Sequence, residues 1–306
     1  MTNKKQTITR LAVFLLLSFG LTYLMFFIYI ANFGWTIDSK WYGVMASCAM
    51  LCPAIANVLT RLITKEGFEN SLFAFKPSGK MKYVLIAFLV PFVSDILKFI
   101  ITAIFILPSG TIDKVFQKEN ITDFLCNTLY LFAVTVSVVL PGFGEEFGWR
   151  GYLTPKLEKL MSLPSALVVS GIIWGLWHAP IIACGHNFGT DYPGYPWTGI
   201  GMMCIFCICT GVYLTAITKA TGSTIFAGLA HMAINNIGGA VSATLFSYAE
   251  ITDSEIAGFD ISTTFNAIIM LIMPVVALIT GIIILVVTIK SDAKKQLSVK
   301  NFKPQV

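Results

Sequence analysis

Long apolar segments dominate this chain and restrict its possible folds more than any other feature. Hydrophobic residues make up 56% of the 306 residues and charged residues only 12%, which is about half the charged fraction of a typical soluble protein. A helix needs about 20 consecutive apolar residues to cross the hydrocarbon core of a bilayer. The sequence therefore predicts an all-α, polytopic transmembrane helical bundle of about eight spans, near residues 11–32, 41–62, 83–107, 124–140, 163–184, 198–217, 222–247 and 263–289.

These segments predict a single integral membrane domain over residues 1–306, with a motif-bearing core at about 124–247. The connecting stretches are short, and the sequence contains no soluble domain, low-complexity tract or internal repeat. The first apolar segment is too long for a signal-peptide core and lacks a small-residue cleavage pattern, so we expect an uncleaved first span.

The Lys and Arg residues predict the orientation of the bundle. If the chain crosses eight times from a cytosolic N-terminus, most of the 21 Lys and Arg residues fall on the cytosolic side, as the positive-inside rule requires. Lys40, Lys114 and Lys118 then lie outside, and Lys98 lies within a span. Both termini are thus expected in the cytosol, with loops 185–197 and 250–260 outside and the protein in the plasma membrane. The net charge of +5 does not indicate a nucleic-acid partner, because the basic residues lie in short loops and tails.

A pair of adjacent carboxylates, Glu145 and Glu146, follows a long apolar run. Such a pair at the edge of a membrane-length helix is costly and needs a partner or a function. In a helix, Glu146 and Arg150 share a face and form an ion pair, whereas Glu145 is rotated by about 100° and stays free for general-base chemistry. The alternative is that both glutamates mark a wet, cytosolic end of the fourth span, where Pro141 and Gly144 loosen the helix.

Other polar residues lie inside the predicted spans. Asp95 and Lys98 are three residues apart on one helical face, which favours a structural ion pair over a role toward a substrate. His178 follows Trp174 by four residues, and His231 precedes Asn235 by four, so the members of each pair point the same way. A lone histidine in an apolar helix is usually a satisfied interior residue, but ionisable residues within a membrane are functional candidates.

The candidate site combines a carboxylate base, two imidazoles and an amide donor. Such a set suits hydrolysis, because a glutamate and a histidine can deprotonate a water while a histidine and an amide stabilise an oxyanion. It also suits a divalent metal such as zinc, held by two histidines, a glutamate and a water. The candidate catalytic residues are Glu145, His178, His231 and Asn235, and the alternative metal ligands are Glu145, His178 and His231.

The depths of these residues conflict in ideal helices. His178 would lie about 21 Å along its span from Pro164, while Glu145 would lie near the cytosolic surface. Two arrangements resolve this: either the fifth span begins below the membrane plane, or the region from Pro141 to Gly144 turns the carboxylates inward.

Three motifs in this order resemble those of the CPBP intramembrane protease family, also called the CAAX-protease and bacteriocin-processing (ABI) family. They are Glu145-Glu146-x-x-x-Arg150, Trp174-x-x-x-His178, in which Trp replaces the usual Phe, and His231-x-x-x-Asn235. The resemblance implies a bundle of about eight spans with a cytosol-facing cavity and a metalloprotease or glutamate-type mechanism. It implies that Glu145 and His178 activate water, that His231 and Asn235 form the oxyanion site, and that Glu146, Arg150 and Trp174 support them.

The function expected from this resemblance is an intramembrane endopeptidase that acts on a membrane-associated or peptide substrate within the lipid bilayer. One alternative is a non-catalytic immunity or scaffold protein of the same fold. A second is a proton-coupled transporter, because buried carboxylates, histidines and a broken helix also occur in transport sites. Intramembrane serine and aspartyl protease motifs are not intact in this sequence.

Overall fold

The computed structural model describes residues 3–74, 77–106, 112–249 and 263–301, and every regular element within these ranges is helical. This confirms the predicted all-α fold. The predicted outer loop 250–260 and the end of the third predicted span at Leu107 lie outside the described residues. The elements are α1 (Lys4–Phe33), α2 (Tyr42–Ala49), α3 (Cys52–Ile63), α4 (Met81–Ile106), α5 (Ile112–Val115), α6 (Lys118–Ser137), α7 (Val139–Gly148), a π-helical turn (Trp149–Leu153), α8 (Thr154–Leu157), α9 (Leu163–Trp177), α10 (Ala179–Ile182), α11 (Trp197–Thr221), α12 (Thr224–Ile237), α13 (Ala240–Tyr248) and α14 (Thr263–Asn301).

Five stretches within the described ranges are long and apolar enough to cross a membrane, and a sixth is formed if the bent pair of α6 and the helical segment after it counts as one span. The predicted spans 163–184 and 222–247 are each interrupted. Helix α9 has 15 residues and α12 has 14, fewer than the ~20 needed for a complete crossing. The membrane character is confirmed, whereas the number of spans and the side of each terminus stay predictions.

A bend between α6 and α7 sets the position of the two glutamates. Helix α6 and the segment Val139–Leu157 meet at 52°, with Val138 at the break. Pro141 explains this break, because it has no N–H to donate to the carbonyl of Ser137, four residues earlier. The helical chain then continues to Leu157, so Glu145 lies about 18 Å before its end. Of the two arrangements that the sequence left open, the structure has the one in which the region from Pro141 to Gly144 bends. The carboxylates are turned into the bundle.

One end of the bundle carries a buried cluster of ion pairs, which we call the basic end. Glu66, just after α3, lies 3.6 Å from Arg10 of α1 and pairs with Lys156 of α8. The hydroxyl of Tyr152 also donates to Glu66, at 2.9 Å. Lys219, near the end of α11, reaches Glu158 at 2.7 Å. Segments that are distant in sequence thus meet at one end and place their basic residues together.

Glu66 gives the basic end a dependence on pH. Burial alone would raise the pKa of this carboxyl, but the hydrogen bonds from Lys156 and Tyr152 and the charges of Lys156 and Arg10 outweigh burial and lower it. A lowered folded-state pKa contributes stability that is present above the unfolded-state pKa and is lost as the pH falls through the folded-state pKa. We therefore expect the free energy of unfolding in detergent to fall below about pH 4.3. Glu66→Gln should be less stable at pH 7 and should show a flatter decline in acid. An equally steep decline in both proteins would contradict this.

Close contact between α7 and α12 depends on glycine. A Cβ on Gly228 would lie 2.7 Å from the Cα and N of Phe143, and a Cβ on Gly142 would lie 2.6 Å from the carbonyl oxygen of Gly228. Both neighbours are backbone atoms, so a methyl group can be accommodated only if the helices separate. This approach brings Glu146 on α7 within reach of His231 on α12, since small residues allow membrane helices to pack at short distance.

Gly228→Ala is expected to destabilise the protein by about 1–3 kcal/mol, the usual cost of forcing extra atoms into a packed interior. Gly201→Ala on α11 is the matched control, because a Cβ there meets no atom within 4 Å. Alanine favours a helix over glycine by up to about 1 kcal/mol, so the control should be neutral or more stable. Unfolding followed by circular dichroism in mixed micelles measures both. Equal effects of the two substitutions would refute the packing argument.

Candidate functional site

Glu145 is buried in α7 with only one of its two carboxylate oxygens engaged. Its Oε2 accepts hydrogen bonds from the indole N–H groups of Trp149, at 3.1 Å, and Trp174, at 2.6 Å. The side chain is 1% exposed. Its Oε1 accepts no hydrogen bond from the described residues and lies 4.0 Å from Nε2 of His231. The two indoles therefore fix the carboxylate and leave Oε1 available for a proton.

Glu146 forms the predicted ion pair with Arg150. A terminal guanidinium nitrogen of Arg150 donates to Oε1 of Glu146 at 3.0 Å, and the guanidinium carbon lies 4.1 Å from the ring centroid of Trp174. The contact involves one nitrogen rather than a two-nitrogen fork. Oε2 of Glu146 and Nε of Arg150 are buried and have no hydrogen-bond partner among the described residues. Ion pairing and cation–π contact together hold this charge within an apolar interior.

His231 is oriented by the same carboxylate. Its Nδ1 lies 2.8 Å from Oε1 of Glu146, and an ionised carboxylate only accepts hydrogen bonds, so Nδ1 is assigned as the donor. The other ring nitrogen, Nε2, then faces Glu145. Glu146 is thus a support for His231 as well as a partner of Arg150.

His178 lies at the break between α9 and α10. Pro180 has no N–H for the carbonyl of Leu176, which accepts instead from the hydroxyl of Tyr23 at 2.8 Å. Nδ1 of His178 lies 2.8 Å from the carbonyl oxygen of Trp174, so Nδ1 again carries the proton. Nε2 of a neutral His178 is consequently free to accept one.

The four candidate catalytic residues line one cavity of about 460 Å³. Nε2 of His231 lies 4.0 Å from Oε1 of Glu145. His178 reaches the cavity from the break after α9, and Asn235 reaches it from α12. Asn235 is exposed, and it lines this cavity. Apolar and sulfur-bearing side chains form most of the remaining wall, among them Phe26, Trp177, Met203, Phe206, Cys207 and Met273.

Sequence reasoning missed two features of this site. The indole of Trp149 holds Glu145, and the spacing of four residues within the first motif was an available signal. Lys98 of α4 lies in the cavity wall, and nothing in its local sequence indicates this. The predicted pairing of Lys98 with Asp95 is confirmed at 3.5 Å. Asp95 also accepts from the backbone N–H of Ser242 at 2.9 Å.

Trp174 makes three specific contacts in addition to filling space as the large aromatic residue expected at its position. Its indole N–H binds Glu145, its ring lies under Arg150, and its carbonyl oxygen accepts from His178. A phenylalanine, usual in the resembled motif, would keep the ring and the carbonyl but would lose the N–H donor.

The zinc alternative requires Glu145, His178 and His231 to converge on one ion. Within the described ranges, no group of three or more His, Cys, Asp or Glu side chains is arranged so that it could hold a metal ion. The zinc alternative stays a prediction.

Comparison with known proteins agrees with the motifs. Residues 127–237 match the family model described as type II CAAX prenyl endopeptidase Rce1-like. The resemblance to the CAAX-protease family is thereby confirmed. The chain is also 28% identical over 146 residues to CAAX prenyl protease 2 of Methanococcus maripaludis, which covers 48% of this chain and 51% of the relative. The chain thus spans about half the length of the curated relative it matches.

The matched segment lies within the motif-bearing core predicted at about 124–247. It begins within α6, contains the bend and the glutamate pair, and ends at the last residue of α12. All four candidate catalytic residues lie inside it, whereas α1, α2, α4 and α14, which complete the cavity wall, lie outside it.

Proposed function

We propose that this protein is an intramembrane endopeptidase that hydrolyses a peptide bond of a membrane-associated or peptide substrate. The observation that carries the proposal is the asymmetry of Glu145. Two indoles hold one carboxylate oxygen, and the other meets a cavity whose lining includes His178, His231 and Asn235. The family resemblance supports the same reaction class. A lipid bilayer and a polypeptide are the expected partners, and nothing in the charge distribution indicates a nucleic acid.

In the proposed reaction, Oε1 of Glu145 removes a proton from a water in the cavity. Nε2 of His178 accepts a hydrogen bond from the same water and orients it. The water oxygen attacks the peptide carbonyl carbon, and the carbonyl oxygen becomes an oxyanion. This division of roles requires the two groups to converge on one reacting atom, as their common cavity allows.

The side-chain amide of Asn235 and Nε2–H of protonated His231 are proposed to donate to the oxyanion. Donors aimed at developing charge inside a water-poor cavity are usually a large term in catalysis. Collapse of the tetrahedral intermediate breaks the C–N bond. Glu145 then returns its proton to the departing amine, so that proton and atom counts balance.

Glu146 and Arg150 are proposed as positioning residues. The carboxylate of Glu146 fixes Nδ1–H of His231 at 2.8 Å, and Arg150 balances its charge at 3.0 Å. Neither residue lines the cavity itself. They act through His231 and not on the substrate.

Isotope transfer tests this proposal directly. The purified protein, reconstituted in proteoliposomes, is incubated with a peptide library in water enriched in oxygen-18, and the products are read by mass spectrometry. Hydrolysis predicts new C-termini that carry oxygen-18 and that depend on the protein. A pH-sensitive dye trapped in the same vesicles tests the transporter alternative. Proton flux without new termini would overturn the protease proposal.

A further inference from the structure

The cavity extends from Glu145 toward the end of the bundle opposite the basic end. Residues of the loop between α10 and α11 line it, namely His186, Asn187 and Phe188. The other lining residues from α1, α2, α4, α11 and α14 all lie on the same side of Glu145. For example, Phe26 lies 16 residues beyond Arg10 on α1, which is about 24 Å in a helix. We call the end that contains residues 183–196 the loop end.

The opposite route, from the basic end to Glu145, is filled by packed aromatic side chains. Phe14 contacts Trp149 with ring centroids 5.9 Å apart and Tyr152 at 5.1 Å, and Trp149 contacts Trp177 at 5.8 Å. All four side chains are buried. Tyr152 also donates to Glu66, which connects this layer to the basic end. A polypeptide cannot reach Glu145 from the basic end without displacing this layer.

The charges of the described residues identify which side each end faces. Lys and Arg residues concentrate at the basic end, whereas the loop end holds few of them and several acidic residues. By the positive-inside rule, the basic end is the cytosolic one. Basic-end residues are Lys4, Lys5, Arg10, Arg61, Lys65, Lys80, Lys82, Lys156, Lys159, Lys219, Lys290 and Lys294; those toward the loop end are Lys40, Lys114 and Lys118.

We propose that the site is entered from the non-cytosolic face of the membrane, so that its substrate is a polypeptide segment exposed on that face. That the entering polypeptide is a substrate rests on the proposed function, whereas the direction of entry rests on geometry and charge alone. It reverses the cytosol-facing cavity expected from the family resemblance. The same rule that places the termini in the cytosol places the loop residues 186–188, which line the cavity, outside.

Cysteine labelling in intact cells tests the direction of entry without any assay of catalysis. Asp191→Cys lies in the exposed loop at the loop end, and Lys159→Cys is the matched position, exposed at the basic end. Both are made in a Cys48→Ala, Cys126→Ala background, which removes the two exposed native thiols. The probe is a small charged methanethiosulfonate that does not cross membranes, and incorporation is read by mass spectrometry. A third variant, Asn235→Cys, reports the cavity itself.

Labelling of Asp191→Cys and Asn235→Cys in intact cells, with Lys159→Cys labelled only after permeabilisation, is the expected result. The opposite pattern for Asp191 and Lys159 would overturn the proposed side. If Asp191→Cys is labelled from outside while Asn235→Cys is not, entry from that face is refuted. Failure of the protease proposal would leave all of these labels unchanged, so the two failures are distinguishable.

Discussion

Glu145→Gln is expected to lower the rate of peptide hydrolysis by about 10²- to 10⁴-fold, the usual contribution of a positioned general base. Glutamine has nearly the same shape, and its amide oxygen can still accept from the indoles of Trp149 and Trp174, which lie 3.1 and 2.6 Å from Oε2. It cannot accept a proton from water. The fold should therefore be retained while the reaction is lost, and product formation per unit of folded protein in proteoliposomes is the measurement.

The control for this substitution is Glu119→Gln. Glu119 is exposed in the first turn of α6, so the same change of charge takes place far from the cavity. The control should keep the activity of the unsubstituted protein. Normal hydrolysis by Glu145→Gln would refute the assignment of the base, whereas equal losses in both variants would point to a general effect of charge on assembly.

Arg150→Met is expected to destabilise the protein by about 3–5 kcal/mol, because removal of the guanidinium leaves the buried carboxylate of Glu146 with only the imidazole of His231 as a partner. Arg150 and Glu146 have side chains 2% and 0% exposed. The double variant Glu146→Gln, Arg150→Met removes both charges and should regain a large part of this loss. Unfolding in mixed micelles, followed by circular dichroism, measures the difference.

Lys219→Met is the matched control for this pair. Lys219 and Glu158 lie 2.7 Å apart, but their side chains are 34% and 25% exposed. Ion pairs near solvent contribute at most about 1 kcal/mol, so the loss should be small. If the double variant is no more stable than Arg150→Met alone, the charge of Glu146 is not the cause of the destabilisation.

Helical periodicity was sufficient to predict those parts of the site that lie within one helix. The ion pair of Glu146 and Arg150 and the pair of Asp95 and Lys98 follow from spacings of four and three residues, and both are present. The all-α class followed from the length of the apolar segments. These features are local, because each depends only on the geometry of a single helix.

Features that depend on contacts between helices could not be predicted in this way. The bond from His231 to Glu146 joins residues 85 positions apart, and the bond from Trp174 to Glu145 joins residues 29 apart. The depth of the glutamates depended on whether Pro141 ends the helix or bends it, and the sequence allows both. Tertiary packing selects the bend, since Gly142 and Gly228 let α7 continue against α12.

Trp174 contacts three functional groups of the site. Its indole fixes the oxygen of the proposed base, its carbonyl fixes the imidazole of His178, and its ring supports the guanidinium that balances Glu146. Because Trp174 contacts all three groups, its displacement would disturb the carboxylate of Glu145, the imidazole of His178 and the guanidinium of Arg150 together. Substitutions that displace α9 are therefore expected to disturb all three groups at once.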